Sequence, residues 1–198
     1  MRIIAGTAKG RTLKSLKGLR TRPTLDRVRE AVFNILGTKI IGAHVLDLFA
    51  GSGAIGIEAL SRGAASCCFN DRNRAVSGII KENITKCTLS QTVLVLTMDA
   101  LECISYLKRK AIHKFDLIYL DPPYQTDNLD YYLMLVQSLL REELLAPEGL
   151  IIIETDKKLV LEKEFYAGEK EKQQSIRLWK NNQYGDTVIW FYKLQGEE

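Results

Sequence analysis

Residues 44–56, HVLDLFAGSGAIG, narrow the choice of fold more than any other stretch of the chain. The run His44-Val45-Leu46-Asp47-Leu48-Phe49 is too short for a helix and ends at turn residues, which predicts a buried strand. Gly51-Ser52-Gly53 follows, and residues without Cβ accept positive φ and let a ligand approach the main chain. From Ala54 to Arg62 the pattern AIGIEALSR is helical, with Ile55, Ala59 and Leu60 available for one face. Strand, glycine loop and helix in this order form a nucleotide-type cofactor turn at the carboxyl end of a parallel strand, so an α/β class is expected.

The spacing Gly51-x-Gly53-x-x-Gly56, with Asp71 further on, matches the dinucleotide fingerprint, which keeps a nicotinamide-dependent oxidoreductase open; plain helix-strand packing also produces such turns. Asp47, four residues before the first glycine, weighs against a dinucleotide. A carboxylate repels a pyrophosphate and attracts a sulfonium or an amino group. The loop therefore suits a cofactor that carries positive charge and no phosphates.

The remaining chain continues the alternation. Ala65–Asn70 reads as a second strand with Asp71 at its end, where an acid can accept from both ribose hydroxyls. Arg74–Lys86 reads as a helix and Thr92–Thr97 as a third strand; Asp99 then stands either to receive an adenine amino group or to cap the helix that begins at Ala100. Phe115–Leu120 is a fourth strand leading into Asp121-Pro122-Pro123-Tyr124. Two prolines fix φ and remove two amide donors, so the turn is rigid and acceptor-rich. Asp121 and the Pro122 carbonyl can hold the two hydrogens of an exocyclic amine, and Tyr124 offers a ring face to a base. Asn128–Leu145 is expected as a helix broken by Ala146-Pro147-Glu148-Gly149, LIIIET as a buried fifth strand, and 157–172 as a solvated helix and loop. QSIRLWK and TVIWFYK close the chain as an antiparallel hairpin turning around Asn181-Asn182 and Tyr184-Gly185-Asp186.

Charge singles out the beginning of the chain. Residues 1–40 hold ten basic groups against Asp26 and Glu30, within a chain of net charge +4, so the remainder is net acidic. A short hairpin over residues 2–14 and a helix from Thr24, its expected N-cap, through the apolar stripe Val28, Val32, Ile35 and Leu36 to Gly37 account for the rest of this segment. Lys9 and Arg11 suit either a solvated basic face or a phosphate contact, packing gives no use for Arg20, Arg22, Arg27 and Arg29, and basic groups clustered in this way suit a phosphate backbone. Cys67, Cys68, Cys87 and Cys103 lack metal-ligand spacing and are expected as reduced thiols; His44 and His113 are expected to be structural, and no metal is called for. With no bilayer-length apolar run and no signal-like start, a cytoplasmic location and no membrane partner are expected.

DLFAGSGAIGIEALSRGA closely resembles the S-adenosylmethionine loop of class I methyltransferases. Together with MRIIAG, Gly10-Arg11, TRPTLDRVREAVFNIL, MDAL, LDPPY and the terminal YGDT, it makes nearly the whole chain resemble the RsmD-type methyltransferases, which modify a guanine N2 in bacterial small-subunit ribosomal RNA. The resemblance implies a Rossmann-like fold with a mostly parallel seven-stranded sheet, helices on both faces and a C-terminal antiparallel hairpin. It implies an RNA-contacting extension over 1–40 and a methyltransferase domain over 41–198. S-adenosylmethionine would be held by Asp47 and the loop Phe49, Ala50, Gly51, Ser52 and Gly53 at its methionine part, by Asp71 with Arg72 at the ribose, and by Asp99 with Ala100 at the adenine. Asp121, Pro122 and Tyr124 would hold the target base. Relatives often carry an acid where this chain has Asn73, so a second hydrogen bond there would be neutral. The expected partner is ribosomal RNA or an assembling small subunit, met by a monomer. An adenine-N6 or cytosine-N4 methyltransferase, and a non-catalytic RNA-binding module, stay open as alternatives.

Overall fold

The computed structural model describes residues 1–15, 23–123, 128–168 and 174–195, which divide into two compact units, Met1–Asp99 and Ala100–Glu198. Arg20, Arg22 and Tyr124 lie outside the described residues.

In the first unit β1 (His44–Asp47), β2 (Ser66–Asn70) and β3 (Thr92–Leu96) run parallel in the order β3-β2-β1. Parallel neighbours need crossovers, and α2 (Ala54–Ser61) and α3 (Arg74–Cys87) provide them. Val45, Leu46, Ile57, Leu60 and Phe69 are fully buried between strands and helices, so the short apolar runs read from the sequence are the core of this unit. β1 is shorter than expected because Leu48 and Phe49 already belong to the turn. α1 (Pro23–Leu36) buries Val28, Val32 and Leu36 as spaced, together with Phe33, and passes into a 3-10 turn at Gly37–Ile40. The helix begins at Pro23, whose fixed φ suits a first turn, so Thr24 sits inside the helix and not ahead of it as an N-cap.

The expected hairpin over residues 2–14 is present as one antiparallel bridge, Arg2 to Thr12, with Ile3 N donating to Arg11 O and Gly10 N to Ile3 O, each at 2.9 Å. Polar side chains of α2 hold this arm. Glu58, fully buried, accepts from Ile4 N at 2.8 Å and Ala5 N at 3.0 Å while Arg62 Nε donates to it at 2.7 Å. Ser61 Oγ donates to Ala5 O at 2.6 Å and accepts from Ala8 N at 2.9 Å. The fit is close enough to require glycine at position 6, where a Cβ would lie 1.8 Å from the Ser61 carbonyl oxygen.

In the second unit β4 (Phe115–Leu120) pairs parallel with β5 (Leu145–Asp156), and β8 (Thr187–Leu194), β7 (Ser175–Tyr184) and β6 (Glu164–Tyr166) add antiparallel strands in the order β4-β5-β8-β7-β6. α4 (Ala100–Arg109) and α5 (Leu129–Arg141) are its helices. The class is therefore α/β with parallel strands and an antiparallel C-terminal set, as expected. Eight strands are described where seven were expected, because Glu164–Tyr166 pairs with β7 in a segment read as solvated helix and loop. α5 stops at Arg141, and Ala146-Pro147-Glu148-Gly149 interrupts β5 as a bulge: Phe115 pairs with Leu145 but Leu117 with Leu150. Asn181 and Asn182 lie within β7, opposite Trp190 and Ile189, and the chain turns only at Gly185-Asp186.

Candidate functional site

The loop after β1 is shaped by its main chain. Ala50 N donates to Asn70 O at 2.8 Å, which fastens the start of the loop to the end of β2, and Gly53 N donates to Ala50 O at 2.7 Å, which closes the turn. Gly51 and Gly53 have φ of 51° and 79°, left-handed values that favour glycine, and a Cβ at Gly51 would meet nothing within 4 Å. The loop thus offers main chain and open space where a ligand can lie. Gly53 precedes α2 without a side-chain cap, leaving the helix's first amides to other acceptors. Gly56 serves packing: a Cβ there would fall 2.3 Å from Phe69 Cε1 and 2.5 Å from Cys67 Sγ.

Asp47, at the end of β1, is 2% exposed and accepts from Gly56 N at 3.1 Å through Oδ2. Burial pushes its carboxyl up to about 7, the Gly56 amide pulls it down, and the charge of Asp71 pushes it further up. Its hydrogen bond to the main chain of α2 holds helix and strand together under the loop. Asp71, half-buried after β2, reaches back to the loop: Oδ2 accepts from Gly51 N at 3.0 Å, and Oδ1 accepts from Asn73 N at 2.8 Å. Each oxygen keeps further acceptor capacity, as a pair of ribose hydroxyls would need. Asn73 caps α3, accepting from Ala75 N at 3.0 Å, so its side chain is used on the helix end. Phe49 and Ser52 are half-buried, Ala50 and Ala100 are buried, and Arg72 and Asp99 are exposed, Asp99 immediately ahead of α4.

Asparagine residues that the sequence reading passed over hold these pieces in place. Asn70 is 1% exposed and its Nδ2 donates to Leu48 O and Met98 O, each at 3.2 Å, joining the turn after β1 to the segment after β3. Asn83, fully buried on α3, donates to Ser52 O at 2.9 Å. A signal for Asn83 existed: it falls in the apolar stripe Val76, Ile80, Asn83, Cys87, where an amide must find internal partners.

In the second unit β4 delivers Asp121 and Pro123, both exposed, on either side of buried Pro122. A strand end followed by two prolines presents a carboxylate and carbonyl acceptors on a fixed turn, the chemistry expected for an amine. Of the basic set, Lys9, Arg11 and Arg27 are exposed. Arg29 is a correction. It is 3% exposed, donates to Arg2 O at 2.6 Å and Asp26 Oδ1 at 3.1 Å, and lies 3.6 Å from Glu58, so its guanidinium is committed inside the unit and is not presented to a phosphate backbone. His44 Nδ1 lies 2.8 Å from Ser66 Oγ on the neighbouring strand, in keeping with a structural role, and all four cysteines are buried and unbridged. Among the described residues no helix is long and apolar enough to cross a membrane.

The family model described as conserved hypothetical protein 95 matches residues 1–193. YlbH of Bacillus subtilis is 37% identical over 196 residues, 99% of this chain and 100% of that one. Ribosomal RNA small subunit methyltransferase D of Haemophilus influenzae is 36% identical over 187 residues, covering 91% of this chain and 94% of its own. The solved structure of yhhF from Escherichia coli superposes with a TM-score of 0.77 at 30% identity, over 100% of this chain and 99% of that one.

Proposed function

The chain belongs to this family, the RsmD-type S-adenosylmethionine-dependent methyltransferases, and from that premise we propose that it methylates the exocyclic N2 amine of a guanine in small-subunit ribosomal RNA. We place the reaction in the cytoplasm, on RNA or an assembling subunit, carried out by a monomer whose residues 1–40 extend an RNA-contacting surface from a transfer domain over 41–198. The observation that carries the reading is the strand end where Asp71 holds the Gly51 amide at 3.0 Å beside an open glycine turn. The absence of lysine and arginine from the loop 47–53 further favours a cofactor without phosphates.

The bound cofactor supplies an electrophilic methyl group. Gly51, Ser52 and Gly53 line its methionine end with main chain, Asp71 accepts from the ribose and Asp99 from the adenine amine, with Phe49, Ala50, Arg72 and Ala100 adjoining. Asp47, raised to about 7 by burial, would be drawn into its charged form by the positive end of the cofactor and so favour it. A guanine amino lone pair is delocalised into the ring and is a poor nucleophile. Asp121 and the Pro122 carbonyl would accept hydrogen bonds from its two N–H groups and favour the pyramidal nitrogen; as the N–C bond forms the sulfonium S–C bond would break, leaving a neutral thioether, and the extra proton on nitrogen would pass to Asp121 or to water. Tyr124 replaces the stacking that the base gives up on leaving the RNA. Lys9, Arg11, Arg20, Arg22 and Arg27 neutralise phosphates. No covalent enzyme intermediate is required; positioning and electrostatics supply the rate.

Mass-spectrometric mapping of ribosomal RNA from a deletion strain tests the specificity: loss of one N2-methylguanosine is expected, whereas loss of a methylated adenine or cytosine would refute it. Asp121→Ala is expected to lower turnover about 100-fold or more with S-adenosylmethionine binding nearly unchanged. Near-normal turnover on the correct RNA would remove Asp121 from the mechanism.

A further inference from the structure

We propose that Asn83 is a positioning residue that ties the N-terminal arm to the cofactor loop, so that the seating of the arm sets how tightly the loop holds S-adenosylmethionine. The inference rests on the cofactor reading above.

Asn83 Oδ1 accepts from Lys14 N at 2.8 Å, and its Nδ2 donates to Lys14 O and to Ser52 O, each at 2.9 Å. Partner chemistry fixes the amide's orientation, because a main-chain N–H only donates and two carbonyls only accept. One fully buried side chain thus joins the last described turn of the arm to the middle of the glycine loop. A second contact runs the same way: Ser52 Oγ donates to Met1 Sδ at 3.7 Å, and Leu13 N donates to Met1 O at 3.0 Å, so both ends of the arm meet at Ser52. The Ser52 carbonyl lies between two glycines in left-handed conformations, where the main chain has little stiffness of its own. A loop ordered in advance by Asn83 spares the ligand the cost of ordering it. Lys9 and Arg11 are exposed on the same arm, so RNA that steadies the arm strengthens cofactor binding, and the cofactor strengthens RNA binding by the same factor.

Lys14 gives a handle on the arm that leaves the loop untouched. Its Nζ pairs with Glu82 Oε2 at 2.7 Å on the surface, both side chains 51% exposed. Calorimetric titration of the full chain with S-adenosylhomocysteine is the test. Asn83→Ala is expected to weaken binding about tenfold. Lys14→Glu, which faces Glu82 with like charge, is expected to weaken it about threefold, and the swap Lys14→Glu with Glu82→Lys to restore it. In the Asn83→Ala background Lys14→Glu is expected to have no further effect. If Asn83→Ala does not fold, Lys14→Glu and its rescue still decide. The proposal is overturned if the wild type binds S-adenosylhomocysteine and Lys14→Glu leaves the dissociation constant unchanged, or if the effects of Lys14→Glu and Asn83→Ala add. A wild type that does not bind would instead overturn the cofactor reading, and this proposal with it.

Discussion

Gly56→Ala tests whether the third glycine of the loop motif is there for space. The backbone at this position is helical, so alanine would ordinarily gain about 1 kcal/mol over glycine from helix propensity. Against that gain stand three short contacts: the added Cβ would lie 2.3 Å from Phe69 Cε1, 2.5 Å from Cys67 Sγ and 2.7 Å from Phe69 Cζ. Phe69 is 0% and Cys67 1% exposed, so neither ring nor thiol can swing into solvent, and α2 would have to move away from β2 by roughly 1 Å to reach ordinary contact. Overpacking of a filled core costs about 1–3 kcal/mol and occasionally more. Three contacts on rigid neighbours put this site at the top of that range, leaving a net loss of about 2 kcal/mol after the propensity gain. The same movement would stretch the Gly56 to Asp47 hydrogen bond, now 3.1 Å. Urea unfolding reads the effect as a lower midpoint at unchanged slope. Phe69→Leu, destabilising alone, should cost at least about 1 kcal/mol less in the Gly56→Ala background, a coupling expected only for side chains in contact. A Gly56→Ala protein as stable as the wild type, or strict additivity with Phe69→Leu, would refute the packing argument.

Other outcomes follow from contacts already described. Asp71→Ala removes the acceptor for Gly51 N as well as the proposed ribose ligand, so S-adenosylhomocysteine should bind about tenfold more weakly or worse; an unchanged dissociation constant by calorimetry would take Asp71 out of the site. The Asp47 carboxyl titrates near 7 in the folded protein and near the ordinary aspartate value when unfolded, so between those pH values the unfolded chain binds fewer protons and the wild type loses stability as pH rises, then levels off above about 7. Asp47→Asn lacks this term, and its melting temperature relative to wild type should climb from pH 4.5 to 7.5; a constant difference would contradict the assignment. Arg29→Met should cost about 2 kcal/mol or more by breaking a buried ionic cluster while leaving the salt dependence of RNA binding alone, whereas Arg27→Glu should flatten that dependence by about one unit of slope. The reverse pattern in filter-binding assays would restore Arg29 to the RNA surface.

What could be read from the sequence was local chemistry. The strand, glycine turn and helix around Gly51, and the acid at the end of β2, are set by neighbours within a few residues and stand where the pattern put them. The seating of the arm could not be read because its hydrogen bonds join residues 53 to 69 positions apart; Glu58 and Ser61 look like ordinary polar helix residues until the arm arrives, and the apolar stripe around Asn83 says that its amide needs internal partners but not which. Arg29 misled for a related reason: a guanidinium in a basic run reads as surface, and only the tertiary approach of the Arg2 carbonyl and Glu58 turns it inward. Pro147 and Gly149 were strong stop signals, yet β5 absorbs them as a bulge because pairing resumes at Leu150. Asn181 and Asn182 are turn formers overruled by the register of β7 against β8.

The arm's dependence on Glu58, Ser61 and Asn83 also orders events during synthesis. A ribosome makes residues 1–14 before their docking partners on α2 and α3, which emerge only after dozens more residues have been added. At about 5–20 residues per second this leaves the segment unseated for several seconds in each round of translation. During that interval its lysines and arginines are exposed on a nascent chain beside ribosomal RNA. This basic segment is therefore made well before the two helices that hold it in place.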